Sequence, residues 1–234
     1  MNRRHFHLHT AQHLGLLTLL TWQQAHALSL GDLSASDASG GLKTALEKAT
    51  QAAVEGLGKA GGFMANEKVR IALPGYLNDG AKLLRTLGQG KRVDELVSAM
   101  NQGAEQAVPQ GRQLLTQSVQ QMTVTDAKAI LSGGDTSVTK FFSEKTRPGL
   151  SQTFLPIVTQ ATDKVGLADK YNKVAAKASG MGLVKAEDAN IQKYVTGKTL
   201  DGLYLVIGEE EKKIRQNPVA YGSALLTKVF GALR

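Results

Sequence analysis

The sequence predicts an all-α protein: a single compact multi-helix domain, with room for one short two-stranded ribbon. Three observations carry this reading. Apolar residues recur at close to the ~3.6-residue helical period along most of the chain. Glycines and prolines fall mainly between those periodic stretches, where helices stop and start. Only Lys68–Leu73 alternates as a strand does, and one strand makes no sheet. The bulk numbers agree. The chain has 234 residues, 42% hydrophobic and 21% charged, which suits one domain, or two small ones, and is too apolar for disorder.

The chain opens with Arg3 and Arg4, then an apolar run Leu14–Leu20, then Ala25-His26-Ala27. A basic start, a short apolar core and small residues at an A-x-A site predict a cleavable export signal over residues 1–27. Arg3, Arg4 and Phe6 resemble the twin-arginine export signal, but Asn2 and His7 depart from it. The twin-arginine and general secretory routes both stay open, and each leads to the periplasm. Seven apolar residues are too few for a stable membrane anchor, and no later run is long enough for one. Without cysteine there is no lipid-attachment site. Ala25 and Ala27 flank the expected cut, which leaves residues 28–234 as one helical domain. Losing Arg3 and Arg4 lowers the formal charge from +8 to +6.

Within residues 28–234, Ser29–Gly40 reads as an arm. Leu42, Ala45, Leu46, Ala49, Ala53 and Leu57 then form one helical stripe. Lys68–Leu73, stopped by Pro74, is the strand candidate, and Met122–Thr125 is the one segment that can pair with it. Val93, Leu96, Val97, Met100, Ala104 and Ala107 mark a second stripe, followed by Pro109 in a first-turn position. Ser132-Gly-Gly-Asp135 reads as a helix end followed by an N-cap at Asp135. Val138, Phe141 and Phe142, then Leu150 to Val165, carry the next faces, with Pro156 expected to kink or break the helix. Leu167, Tyr171, Val174 and Ala178 follow. Leu200, Leu203, Tyr204, Ile207 and Ile214 form the largest apolar stripe, expected at the centre and closed by Asn217-Pro218.

Much chemistry is excluded. All five histidines and the only tryptophan lie in the first 26 residues, and there is no cysteine. Once the leader is cut, no Ser–His–Asp or Cys–His site can form, and the usual transition-metal ligands are missing. No cofactor or metal site is expected, and the balance leans against an enzyme. Gly197-Lys198-Thr199 looks like the end of a phosphate-binding loop, but position 192 is Gln192 where a glycine is required. Asp188-Ala-Asn190 starts like a calcium loop and then fails at Gln192 and Lys193. Lys164, Lys170, Lys173 and Lys177 form a basic run that suits polyanions or lipid headgroups. Aromatics are only 5% of the chain and do not interleave with it, so no nucleic-acid partner is expected.

Glu209-Glu210-Glu211 precedes Lys212-Lys213. Glu209–Lys213 and Glu211–Arg215 are spaced i,i+4 in the stabilising order, so the run reads as a solvated, salt-bridged face. The sharper alternative makes Asp201, with Glu209 or Glu210, a carboxylate pair for a hydrolase.

Several segments resemble one exported bacterial family. They include Asp37–Lys43, Val69–Pro74, Met122–Asp135, Phe154–Val158, Glu187–Ile191, and Thr199–Tyr204 running into Glu209–Arg215. Together they are similar to the family known as domain of unknown function 4197. The resemblance implies a single domain in a Gram-negative cell envelope and supplies no activity or site residues. The functional expectation is therefore a non-catalytic exported protein that binds a small apolar or lipid ligand or an envelope partner. A structural or assembly role and the carboxylate hydrolase are the alternatives.

Overall fold

A computed structural model describes residues 34–182 and 189–231. The leader residues Arg3, Arg4, Phe6, Ala25 and Ala27 lie outside them. The α-helices are α1 (Ala35–Leu57), α2 (Asn78–Thr86), α3 (Gly90–Ala107), α4 (Arg112–Gln120), α5 (Val124–Leu131), α6 (Ser137–Thr162), α7 (Leu167–Gly180), α8 (Ile191–Gln216) and α9 (Ala224–Gly231). Short 3-10 turns at Gly75–Leu77, Val108–Gly111 and Pro218–Tyr221 join them.

The long helix α8 lies at the centre, packed on α6 and α1, with α3 on the far side of α6. Helices α4, α5 and α9 close against α1, while α2 and α7 flank α3. The predicted stripes on α1, α3 and α8 are the buried ones. Leu42, Ala45, Leu46, Ala49, Ala53 and Leu57 of α1 are all within the core, as are Leu200, Leu203, Tyr204, Ile207 and Ile214 of α8. Each buried Leu or Ile removes enough apolar surface from water to contribute roughly 1.5–3 kcal/mol. Tyr204 keeps its hydroxyl satisfied at Thr146 Oγ1, 2.9 Å away.

Helix starts follow local chemistry. Ser34 caps α1 by accepting from the Asp37 N–H at 3.0 Å, so residues 35–40 are the first turns of α1 rather than an arm. Thr123 and Asp126 form a reciprocal capping box that starts α5. Asn190 caps α8 by accepting from the Lys193 N–H.

The structure corrects further expectations. No strand forms among the described residues, so the ribbon is absent. Met122–Thr125 is consumed by the start of α5. The alternating segment is instead an extended strap held by a side chain. Asn101, fully buried on α3, accepts from the Ile71 N–H at 2.9 Å and donates to the Ile71 carbonyl at 2.9 Å. One carboxamide thus satisfies both groups that a neighbouring strand would pair. One turn along α3, Glu105 accepts from the Phe63 and Met64 N–H groups at 3.0 and 3.2 Å. Val69 and Ile71 can then bury their side chains without a sheet.

Pro156 does not break its helix, because α6 runs unbroken through Pro148 and Pro156. Both prolines are exposed, and so are Glu144 and Gln152, the residues whose carbonyls lose their i+4 donor. On a solvent face water can take up such lost bonds, so the prolines cost least there. Asp135 is not an N-cap either. Thr136 occupies that position without a side-chain bond, and Asp135 reaches Lys212 of α8 instead. The corner is nevertheless tight: a Cβ on Gly133 would lie 2.5 Å from Ser137 Cβ.

Candidate functional site

The Gly197-Lys198-Thr199 segment lies inside α8, not in a loop. The Thr199 hydroxyl is buried and donates to the Val195 carbonyl at 2.7 Å. The Lys198 ammonium stands over the Tyr194 ring. No phosphate cradle exists there. Asp188 of the calcium-like segment lies outside the described residues. No group of three or more metal-ligating side chains forms among those described.

The carboxylates do not converge. Asp201 is held by Arg147, whose guanidinium also lies 5.5 Å from the Tyr204 ring centre. Glu209 pairs with Lys68 on the strap at 2.7 Å. Glu210 takes Lys213 at i,i+3 and 2.6 Å, displacing the expected Glu209–Lys213 pair. That contact raises the Lys213 pKa. Only Glu211 points inward. Its side chain is 3% exposed and pairs with Arg215 at i,i+4. The guanidinium spans both carboxylate oxygens, at 2.9 and 3.1 Å. Burial pushes the Glu211 pKa above its ordinary value, opposed by Arg215. This group lines a cavity of about 240 Å³ with Asp135, Ser137, Gly208 and Lys212. The run is therefore neither a fully solvated face nor a catalytic pair. It is two surface salt bridges and one buried one.

A wider concavity lies elsewhere. A groove of about 500 Å³ opens between α2, α3 and α7. Leu73 and Leu77 from the end of the strap close one side. Ala81 and Leu84 of α2 face Val93 and Leu96 of α3, and Leu167, Tyr171 and Val174 of α7 complete the wall. The α7 residues are spaced i, i+4, i+7, one stripe of a helix. Arg92 and Lys170 stand at one end, both exposed. These two, with Leu167, also line an adjoining cavity of about 350 Å³ shared with Glu95, Val165 and Gly166. An apolar trough thus ends at two cations, with a more polar recess beyond.

Sequence reasoning found parts of this wall without the groove. The stripes Val93–Leu96 and Leu167–Val174 were legible as helical faces. Helix α2 was not, because nine residues with Gly80 among them are too short a window for a period to stand out. The available signal was the pair Leu83-Leu84 followed by Leu87, at i,i+3 and i,i+4 spacing.

Comparison with sequence families returns one described as "Protein of unknown function (DUF4197)", whose model matches residues 32–231. The chain belongs to that family. No curated protein and no solved structure matches it.

Proposed function

We propose that this member of the DUF4197 family is an exported, non-catalytic protein that binds a single-chain amphiphile with an anionic head, of the fatty-acid or lysolipid type. The groove between α2, α3 and α7 carries the reading. Its volume of about 500 Å³ falls within the roughly 300–1,000 Å³ typical of small-molecule sites. An apolar tail lying on Ala81, Leu84, Val93, Leu96 and Tyr171 would gain about 0.8 kcal/mol per buried methylene. Arg92 and Lys170 would take the head at the junction with the polar recess, where charge-assisted hydrogen bonds are the strong ones. The periplasmic location rests on residues 1–27, with their Arg3, Arg4, Phe6 signal and their Ala25, Ala27 cleavage pattern.

The hydrolase alternative has less support. Asp201, Glu209 and Glu210 are each tied to a cation, and Glu211, whose pKa burial raises, is itself held by Arg215.

Native mass spectrometry of protein purified gently from the expressing cell tests the binding reading. The expected result is an added mass in the fatty-acid or lysolipid range that is lost on denaturation. Ala81→Trp fills the groove from a partly exposed position and should abolish the added mass with the fold intact. Arg92→Glu with Lys170→Glu should weaken rebinding of a fatty acid at least about tenfold, the equivalent of about 1.4 kcal/mol. An added mass that survives Ala81→Trp, or no added mass and no fatty-acid binding, overturns the assignment. The mass of the bare chain also reports whether cleavage follows Ala27.

A further inference from the structure

We infer that the mouth of the α2–α7 groove is a docking face for an anionic lipid bilayer. The inference deepens the amphiphile-binding reading and rests on it for its purpose, though not for its evidence. Among the described residues, two of the most exposed large apolar side chains, Leu83 and Val174, line this groove, and two more, Leu87 and Met181, follow them in sequence just past the ends of α2 and α7. Leu83 is 60% exposed, Leu87 65%, Val174 56% and Met181 69%. Leu83 and Leu87 are i,i+4 on one edge of α2 and its end. Val174 belongs to the groove stripe of α7, and Met181 lies seven residues on, in the turn just past the end of that helix, so Leu83 and Val174 face the groove from its two sides. A soluble surface exposes single apolar residues freely, but a cluster at the rim of an apolar groove is a contact site.

Charge decides what the cluster contacts. The exposed cations Lys91 and Arg92 stand at the start of α3, and Lys170 and Lys173 lie on α7. On the same elements, Glu95 faces the polar recess, Asp94 is held by Arg85, and Asp169 is exposed on α7. The cations outnumber the free carboxylates. Exposed apolar side chains with Lys and Arg beside them match the boundary of a bilayer with anionic headgroups, where insertion and Coulomb attraction add. A second copy of the chain would bring the same cations face to face. With the mouth on the membrane, an acyl chain passes into the groove without crossing water.

The test uses the absence of cysteine. Leu87→Cys and Met181→Cys, made separately in the whole chain, each carry one environment-sensitive fluorophore. Val219→Cys is the control, being 70% exposed and beyond the opposite end of α8 from α7. Vesicles of phosphatidylcholine alone, and of phosphatidylcholine with phosphatidylglycerol, are titrated in. The expected result is a blue shift at positions 87 and 181 with the anionic vesicles only. It should be lost when salt is raised from about 0.1 to 1 M, which shortens the screening length from about 10 to 3 Å. The control label should stay silent. Equal shifts with both vesicle types, an equal shift at position 219, or none at all overturns the inference. So does a shift without vesicles that grows with protein concentration, which would make the face a self-interface. Adding Ala81→Trp separates the two readings. Docking should persist when the groove is filled, so loss of bound amphiphile with retained docking leaves this inference standing alone.

Discussion

Replacing Asn101 by Leu tests how the strap is held and how the strap builds the groove. Asn101 makes three hydrogen bonds, to the Ile71 N–H, the Ile71 carbonyl and the Val97 carbonyl. The Val97 carbonyl lies within α3 and keeps its helical donor. Among the described residues the two Ile71 groups have no second partner, and Ile71 is buried. Each stranded group costs about 1–3 kcal/mol, so the pair costs about 2–6 kcal/mol. The better transfer of Leu offsets part of this, leaving about 2–4 kcal/mol. For a domain of this size, about 2–4 °C is lost per kcal/mol, which gives a fall in Tm of about 4–16 °C. The strap runs on into Leu73 and Leu77, which line the groove, so amphiphile affinity should fall with stability. Thermal unfolding with hydrogen exchange at Ile71 is the assay. A Tm within about 2 °C of the parent, with Ile71 still protected, would show that water or a neighbour replaces the carboxamide and would refute the reasoning.

Other substitutions probe separate joints of the fold. Glu211→Gln tests the buried carboxylate: its pKa is raised in the folded state, so its stabilising contribution is full below about pH 4.5 and is lost as pH rises through the folded value. The stability of Glu211→Gln relative to the parent should therefore improve as pH rises above about 4.5; a pH-independent difference would sink this account. Asp126→Ala removes the capping box that starts α5 and should cost about 1 kcal/mol at neutral pH in denaturant unfolding. The Thr123 backbone bond holds the Asp126 carboxyl below its ordinary pKa of 3.8, so that cost should vanish as acid protonates it. Gly41→Ala places a Cβ 2.5 Å from Val229 Cγ2 and should cost about 1–3 kcal/mol, with faster amide exchange across α9 as its signature.

Helical periodicity alone determined most of the secondary structure. The stripes on α1, α3 and α8 are long enough for a hydrophobic face to declare its period, and the faces they define are the buried ones. Asn217-Pro218 and Pro109 marked their boundaries because a missing N–H is a local fact, legible without a fold. The lack of His and Cys outside the first 26 residues likewise narrowed the chemistry before any coordinate was known.

Tertiary structure decided what depended on a distant partner. Lys68–Leu73 has the alternation of a strand, yet its hydrogen bonds go to a side chain 30 residues away. Pro156 was tolerable only because α6 turns that edge to water. Glu209, Glu210 and Glu211 read as one acidic face, but each met a different cation and only Glu211 was buried. The groove is the fullest case. Its walls come from three helices and the strap end, each with an ordinary amphipathic pattern, and no local pattern records that they leave a trough between them. A residue's period depends on its own neighbours along the chain, whereas a cavity depends on how elements far apart in sequence fail to fill the space they enclose.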